Sequence, residues 1–292
     1  MTDHTINVLD HGLVRLVSYT QPAVQRVEIT EPYRKALNTA DMPVPDSIAA
    51  DYSDWTGDLE VVRNARVSYD AAARTGDDEG SDSRLINYLL KNRHTSPFEA
   101  MSFTFEVKAP IFVLRQWHRH RTWSYNELSA RYRELPEEFY VPAVDQITTQ
   151  STSNKQMRTT TQHPIAAKVQ EAMRMQCEDA FRLYKGMLAD GVPRELARTV
   201  LPLSTYSHMF ASVDLHNLLH FCGLRLHEHA QYEIRVYAEA MLKLIEPICP
   251  ASVKAFQQHV LKPPIHSDRV VAESVVGATT VIAHAKSTRR HF

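Results

Sequence analysis

The stretch MSFTFEVKAPIFVLRQW, residues 101–117, changes from one backbone period to another within a few positions. Met101, Phe103, Phe105 and Val107 alternate with Ser102, Thr104, Glu106 and Lys108. A period of two sets the apolar residues on one face of a strand and the polar ones on the other. Pro110 then stands where the first residue of a helix would, because its missing N–H has no partner to lose there, and residues 111–119 are expected to be helical. Regular βαβ alternation is absent and helical patterns dominate elsewhere, so the chain reads as α+β. The expected fold is a helix-rich single domain around a central mixed or antiparallel sheet.

Upstream, Ile6 and Val8 face Leu13, Val14, Leu16 and Val17 across His11-Gly12, which predicts a short hairpin. Residues 21–56 are polar, carry four prolines, and read as an insertion or arm. Leu59, Val62, Ala65 and Tyr69 recur at helical spacing over 58–74, with Asp58 as the expected N-cap. GDDEGSDS, residues 76–83, is an acidic loop feeding a helix over 84–93. Downstream, a second strand is expected around 124–132 and a long surface loop over 136–163. Helices should follow Pro164 as far as Gly191 and again over 193–200. TYSHMFASVD reads as a strand, and Asp214 as the cap of a helix through Leu226. Ile234, Tyr237, Ala238, Met241, Leu242 and Ile245 form one apolar stripe. Residues 1–260 are thus expected to form one domain, with 261–292 as a basic, polar C-terminal extension.

Composition narrows the function. Lys and Arg number 33 against 34 Asp and Glu, a net charge of −1, which speaks against a general polyanion binder. No apolar run is long enough to span a bilayer, and the first residues hold no export signal. Three cysteines without CxxC spacing suit a reducing compartment, so a cytoplasmic chain with no membrane partner is expected. Eight glycines and no GxG leave neither a dinucleotide fingerprint nor a P-loop. Phosphates, if bound, must be held by cationic side chains.

Those cations are concentrated in RQWHRHRTWSYNELSARYR, residues 115–133, which holds five arginines, two histidines and a single acid, Glu127. On one helical turn Arg119, His120 and Arg121 would fan over roughly 200° and could not share one phosphate. At a helix end running into a loop they could reach different parts of a large anion. Cations there also suit the helix dipole with no ligand at all. If residues 124–132 are extended, Glu127, Ser129 and Arg131 share a face suited to a nucleotide's base edge and phosphate. A nucleic-acid module using the Arg and aromatic side chains, and a subunit contact, are the other readings of this stretch. His118 and His120, like His227 and His229, lack the facing and further ligands that zinc needs, so no metal is expected. Cys222 sits in an apolar helix and should pack in the core.

The same residues resemble the flavin-dependent thymidylate synthases. Their signature is RHR followed, after seven residues, by serine, and Arg119-His120-Arg121, TWSYNEL and Ser129 match it without a gap. RHTSPFEAMSFTFEVKAPIFVLRQW upstream, and VPRELARTVLPLSTYS and LHFCGLRLHEHAQYEIRVYA downstream, are similar to the family's segments in order and spacing. The likeness spans roughly residues 58–256. It implies the thymidylate synthase-complementing protein fold, and a homotetramer with active sites between subunits. The implied reaction is the reductive methylation of dUMP to dTMP, a methyltransferase step in nucleotide biosynthesis. Its methylene donor is 5,10-methylenetetrahydrofolate and its reductant NADPH, acting through FAD; nucleic acid is no partner.

By position, the resemblance assigns FAD contacts to Ser68, Ser96, Arg119, His120, Arg121 and Glu127, and a second FAD segment, from another subunit, to Asp214, Leu215, His216 and His220. It assigns dUMP to Gln116, Trp117, His118, Arg119, Glu127, Leu128, Ser129, Ala130, Arg131, Arg198 and Arg225. His94 corresponds to a histidine near the flavin and folate. Arg225 carries the catalytic role, promoting ionisation of the uracil N3. Asp214 and His216 depart from the asparagine and arginine common in the family, which makes a less favourable setting for FAD phosphates.

Overall fold

Residues 102–110 form the middle strand of a five-stranded sheet. The protein was described from a computed structural model, in which residues 4–21, 57–69 and 80–261 are described. Apart from Gln21 and Leu261, the expected arm at 21–56 and the expected extension at 261–292 lie outside the described residues, as does the first part of the acidic loop. The strands are β1 (Thr5–Val8), β2 (Gly12–Tyr19), β3 (Ser102–Pro110), β4 (Ser124–Glu127), the hairpin pair β5 (Thr148–Gln150) and β6 (Arg158–Gln162), and β7 (Tyr206–Asp214). The main sheet runs β1-β2-β3-β7-β4, with every pair antiparallel.

One face of this sheet is dry. Phe103, Phe105 and Val107 of β3 and Met209, Ala211 and Val213 of β7 are buried, as the alternation requires. Helices cover them: α1 (Gly57–Arg66), α2 (Ser81–Lys91), the short α3 (Ser96–Glu99), α4 (Ile111–Trp117), α7 (Leu215–Arg225), α8 (Tyr232–Ile245) and α9 (Pro250–His259). The other face is polar. Glu106 there pairs with Arg15 of β2 and lies 2.7 Å from His208 Nε2 of β7, while Thr104 and Ser212 hydroxyls meet at 2.9 Å. A smaller apolar cluster sits apart, where Phe181 and Tyr184 of α5 (Ala166–Ala189) pack with Ala197 of α6 (Arg194–Ala197).

The hairpin, the strand at 206–214, the helix capped by Asp214 and the striped helix all appear where the periodicity places them. Asp214 accepts from the Asn217 N–H at 2.9 Å, a regular N-cap. Elsewhere the structure corrects the sequence reading. Asp58 does not cap its own helix. Its buried carboxylate reaches across to α9, accepting from the Ala251 N–H (2.6 Å), the Ser252 N–H (3.0 Å) and the Ser252 hydroxyl (2.6 Å). Burial raises its pKa, and those hydrogen bonds oppose the rise. The helix predicted over 58–74 is α-helical only to Arg66 and tightens to a 3₁₀ turn over Val67–Tyr69; residues 70–74 are not described. The expected loop at 136–163 contains the β5–β6 hairpin, whose Thr149 and Thr159 hydroxyls bond at 2.6 Å. Polar residues on both of its faces conceal the period of two.

Two substitutions test this architecture. Asp58→Ala leaves two buried N–H groups without their acceptor and should lower stability by about 2 kcal/mol, read from urea unfolding. Gly12→Ala would drive a Cβ into Tyr237 Oη and bring it within 2.6 Å of the Val8 carbonyl oxygen. Because one of those atoms is backbone, that variant should also lose about 2 kcal/mol, visible as a lower thermal midpoint.

Candidate active site

Helix α4 stops at Trp117 because the chain is pinned there. The indole of Trp117 is fully buried, stacked on Phe221 of α7 with ring centroids 4.9 Å apart and edge-on to Tyr237 of α8 at 5.9 Å. The Tyr125 hydroxyl then donates to the carbonyls of Trp117 (3.1 Å) and His120 (2.9 Å), closing a turn that leads into β4. The turn solves the geometric problem that a continuous helix would pose. His120 points inward and is only 8% exposed, whereas Arg119 and Arg121 stand in solvent with no partner among the described residues.

His120 meets Arg225 at the end of α7. The Arg225 Nε–H donates to His120 Nε2 at 3.0 Å, and an Nη2–H donates to the Gln116 carbonyl at 3.1 Å. An Nε2 that accepts requires the ring proton to be on Nδ1. Burial, then the charges of Arg225 and His220, bring the His120 pKa down to about 4, so the ring is neutral at pH 7. Burial also lowers the Arg225 pKa, but a guanidinium remains charged at any physiological pH. The His120 ring is edge-on to Phe221 at 4.8 Å, and His220 lies 6.5 Å away. The RHR turn and the 214–220 segment therefore already meet within one chain.

A cavity of about 250 Å³ lies on another side of α4. It gathers His118, Glu127, Leu128, Ala130 and Arg198 from the predicted dUMP set. Glu127 is held there, accepting from the Ser207 hydroxyl at 2.6 Å, with His118 Nε2 3.9 Å away. Arg115 and Ser207 also line the cavity and were missed by the sequence reading. Both were legible: Arg115 is one helical turn from His118, and Ser207 is a polar residue on the apolar side of its strand. Arg115 and Arg198 have no partner among the described residues, so two free cations flank one braced carboxylate. Arg225 does not line this cavity. One chain thus presents the predicted dUMP residues as two groups.

The extended face expected at Glu127, Ser129 and Arg131 is not formed. Strand β4 ends at Glu127, and after Leu128 the Ser129 hydroxyl accepts the Arg131 N–H at 3.3 Å, turning the chain out of the ladder. Arg131 instead pairs with Glu195 at 3.3 Å. The side chains of Trp117 and Leu215 are in the core, so what these two can offer a ligand is main chain. Cys222 is fully buried, and its thiol is held well above the usual range by burial. It is no nucleophile.

Among the predicted FAD residues, Arg119 and Arg121 fit a diphosphate best, being exposed and unpaired. A shallow cavity of about 480 Å³ begins at Thr122, next to Arg121 in the chain; neither arginine lines it, and its walls carry hydroxyls, among them Ser18, Thr20 and Ser102, and the side chain of Glu99. Asp214 borders it, but both its oxygens bind Asn217. Ser68, Ser96 and His94 are exposed; His94 follows Arg93, whose left-handed φ of 58° turns the chain, and lies edge-on to Tyr88.

Comparison with known proteins identifies the family. Residues 52–251 match the family model described as thymidylate synthase complementing protein. A flavin-dependent thymidylate synthase from Treponema denticola is 46% identical over 209 residues, covering 70% of this chain and 77% of that one. One from Gluconobacter oxydans is 41% identical over 247 residues, covering 82% and 80%. Among solved structures, the UMP/dUMP methylase PolB from Streptomyces cacaoi, bound with 5-Br dUMP, superposes with a TM-score of 0.69. It is 33% identical, over 87% of this chain and 98% of its own. With its fold, its RHR turn and this breadth of likeness, the chain belongs to the thymidylate synthase complementing protein family, the flavin-dependent thymidylate synthases, and is an enzyme of that family.

Proposed function

We propose that the enzyme reductively methylates dUMP to dTMP, with 5,10-methylenetetrahydrofolate as methylene donor and NADPH as reductant. The observation that carries this reading is the Arg225 guanidinium fixed beside the RHR turn by His120 and the Gln116 carbonyl. FAD, when bound, supplies the hydride chemistry. The residues that would hold it are Arg119 and Arg121, as the cations for its diphosphate, with the hydroxyls around Thr122 and Ser124 beside them.

Arg225 is the catalytic residue. Two of the five N–H donors of its guanidinium are engaged within the protein, leaving three for a planar acceptor. A uracil losing its N3 proton offers such an acceptor, with negative charge over N3 and the neighbouring oxygens. A fixed cation favours that anion as it forms. The charge spreads into the ring and enriches C5, the carbon that must attack the methylene donor. No enzyme nucleophile is then required, in keeping with the inert, buried Cys222.

In the first cavity, Arg115 and Arg198 would meet the dUMP phosphate, while Glu127, braced by Ser207, accepts from the nucleotide. Separation of this cavity from Arg225 supports active sites completed between subunits. A homotetramer is the assembly we propose. Among the described residues no helix is long and apolar enough to cross a membrane; a cytoplasmic location is part of this proposal.

Purified protein should show the visible absorption of an oxidised flavin and form dTMP when given dUMP, the folate donor and NADPH; UMP belongs in the same assay because PolB is named for both nucleotides. A colourless protein that fails FAD titration would contradict the assignment. Arg225→Ala should lower dTMP formation on the order of 1,000-fold while NADPH oxidation by the bound flavin continues. Arg119→Ala should retain less flavin through gel filtration, measured as absorbance per chain, since it removes one of the two free cations.

A further inference from the structure

The structure assigns His120 a positioning role: as a neutral acceptor it fixes the guanidinium of Arg225 for the substrate, rather than serving as a flavin ligand. This inference rests on the proposed function of Arg225.

Several observations converge on it. An arginine side chain has four rotatable bonds and considerable rotamer entropy to lose, so a half-buried guanidinium is oriented only where acceptors hold it. Here two acceptors from neighbouring turns grip its inner edge: His120 Nε2 on Nε and the Gln116 carbonyl on Nη2. Both bonds lie near one plane edge of the guanidinium, so the outer donors are presented together, which a single bond would not achieve. The Gln116 carbonyl is fixed by the backbone. His120 is the side-chain half of the clamp, and its own placement is over-determined. Its ring packs edge-on to Phe221, its carbonyl takes the Tyr125 hydroxyl, and it is almost wholly enclosed.

Protonation state fits the same role. An imidazolium would present an N–H to a guanidinium and repel it, and the depressed pKa keeps that form away at neutral pH. With Nε2 occupied by Arg225 and the ring buried, little of His120 remains to contact a cofactor. Arg119 and Arg121, its exposed neighbours, are the better candidates for that. The RHR motif then divides its labour: the outer arginines face the anion, and the middle histidine sets the catalytic guanidinium.

Three variants of the FAD-loaded enzyme separate this role from packing and from flavin binding. Glutamine can place an amide oxygen near the site of Nε2, leucine fills the space without an acceptor, and asparagine has an acceptor that is too short. His120→Leu should lower kcat on the order of 100-fold, with KM for dUMP changed only a few-fold and flavin per chain unchanged. His120→Gln should recover most of kcat. His120→Asn should resemble His120→Leu, and it stands in for that variant if leucine prevents folding. Full kcat in the leucine variant, equal losses in leucine and glutamine, or activity lost only in proportion to lost flavin would each overturn the inference. Wild-type turnover measured alongside keeps the two readings distinct. A flavin-loaded wild type that forms no dTMP overturns the proposed function and this inference together, whereas an active wild type with an equally active leucine variant overturns this inference alone.

Discussion

The indole of Trp117 stacked on Phe221 is the contact on which the site depends. It joins the end of α4 to the middle of α7, through residues more than a hundred positions apart in sequence. Trp123 and Tyr237 close around the same pair, at 5.2 Å from Phe221 and 5.9 Å from Trp117. Aromatic contacts of this kind contribute about 1 kcal/mol each beyond the area they bury. Their larger effect is geometric. With Trp117 and Phe221 fixed, Gln116 and His120 on one helix end fall within reach of Arg225 on the other. Neither hydrogen bond could form if α7 slid by a single turn, since that would move Arg225 by about 5.4 Å.

The polar arrangement follows from that apolar one. His120 is drawn inward by the turn that Tyr125 pins, and burial keeps it neutral. Arg119 and Arg121 are left in solvent by the same turn, with no ion-pair partner among the described residues. The cluster combines a half-buried, oriented guanidinium with exposed, unpaired ones. In a protein with a net charge of −1, such a cluster is a local concentration of positive charge rather than a general attraction to polyanions.

Much of this was legible from residue order. The period of two in residues 101–108 identified the central strand, because one face of that strand is dry and the other is not. Asp214 was readable as a cap because its partner lies three residues away. Asp58 was misread for the converse reason: its partners are at 251 and 252, and only tertiary structure brings them near. The stretch after Glu127 failed similarly. A single serine hydroxyl bonding two residues ahead outweighed the strand pattern, and alternation cannot report that. Within the proposed site, the motif pointed to the turn after α4, and the resemblance suggested its residues. The pairing of His120 with Arg225, 105 positions apart, could not be read from either.

The proposed mechanism requires a catalytic arginine held in a fixed orientation by the turn that also carries the cofactor-facing cations. A crystal structure of the enzyme with FAD and dUMP tests it most directly. Arg225 should still be bonded through Nε to His120 Nε2, with its outer donors on the uracil and the cofactor's diphosphate against Arg119 and Arg121. Arg225 turned away from His120 towards the substrate phosphate, or the His120 ring swung out against the flavin, would contradict it.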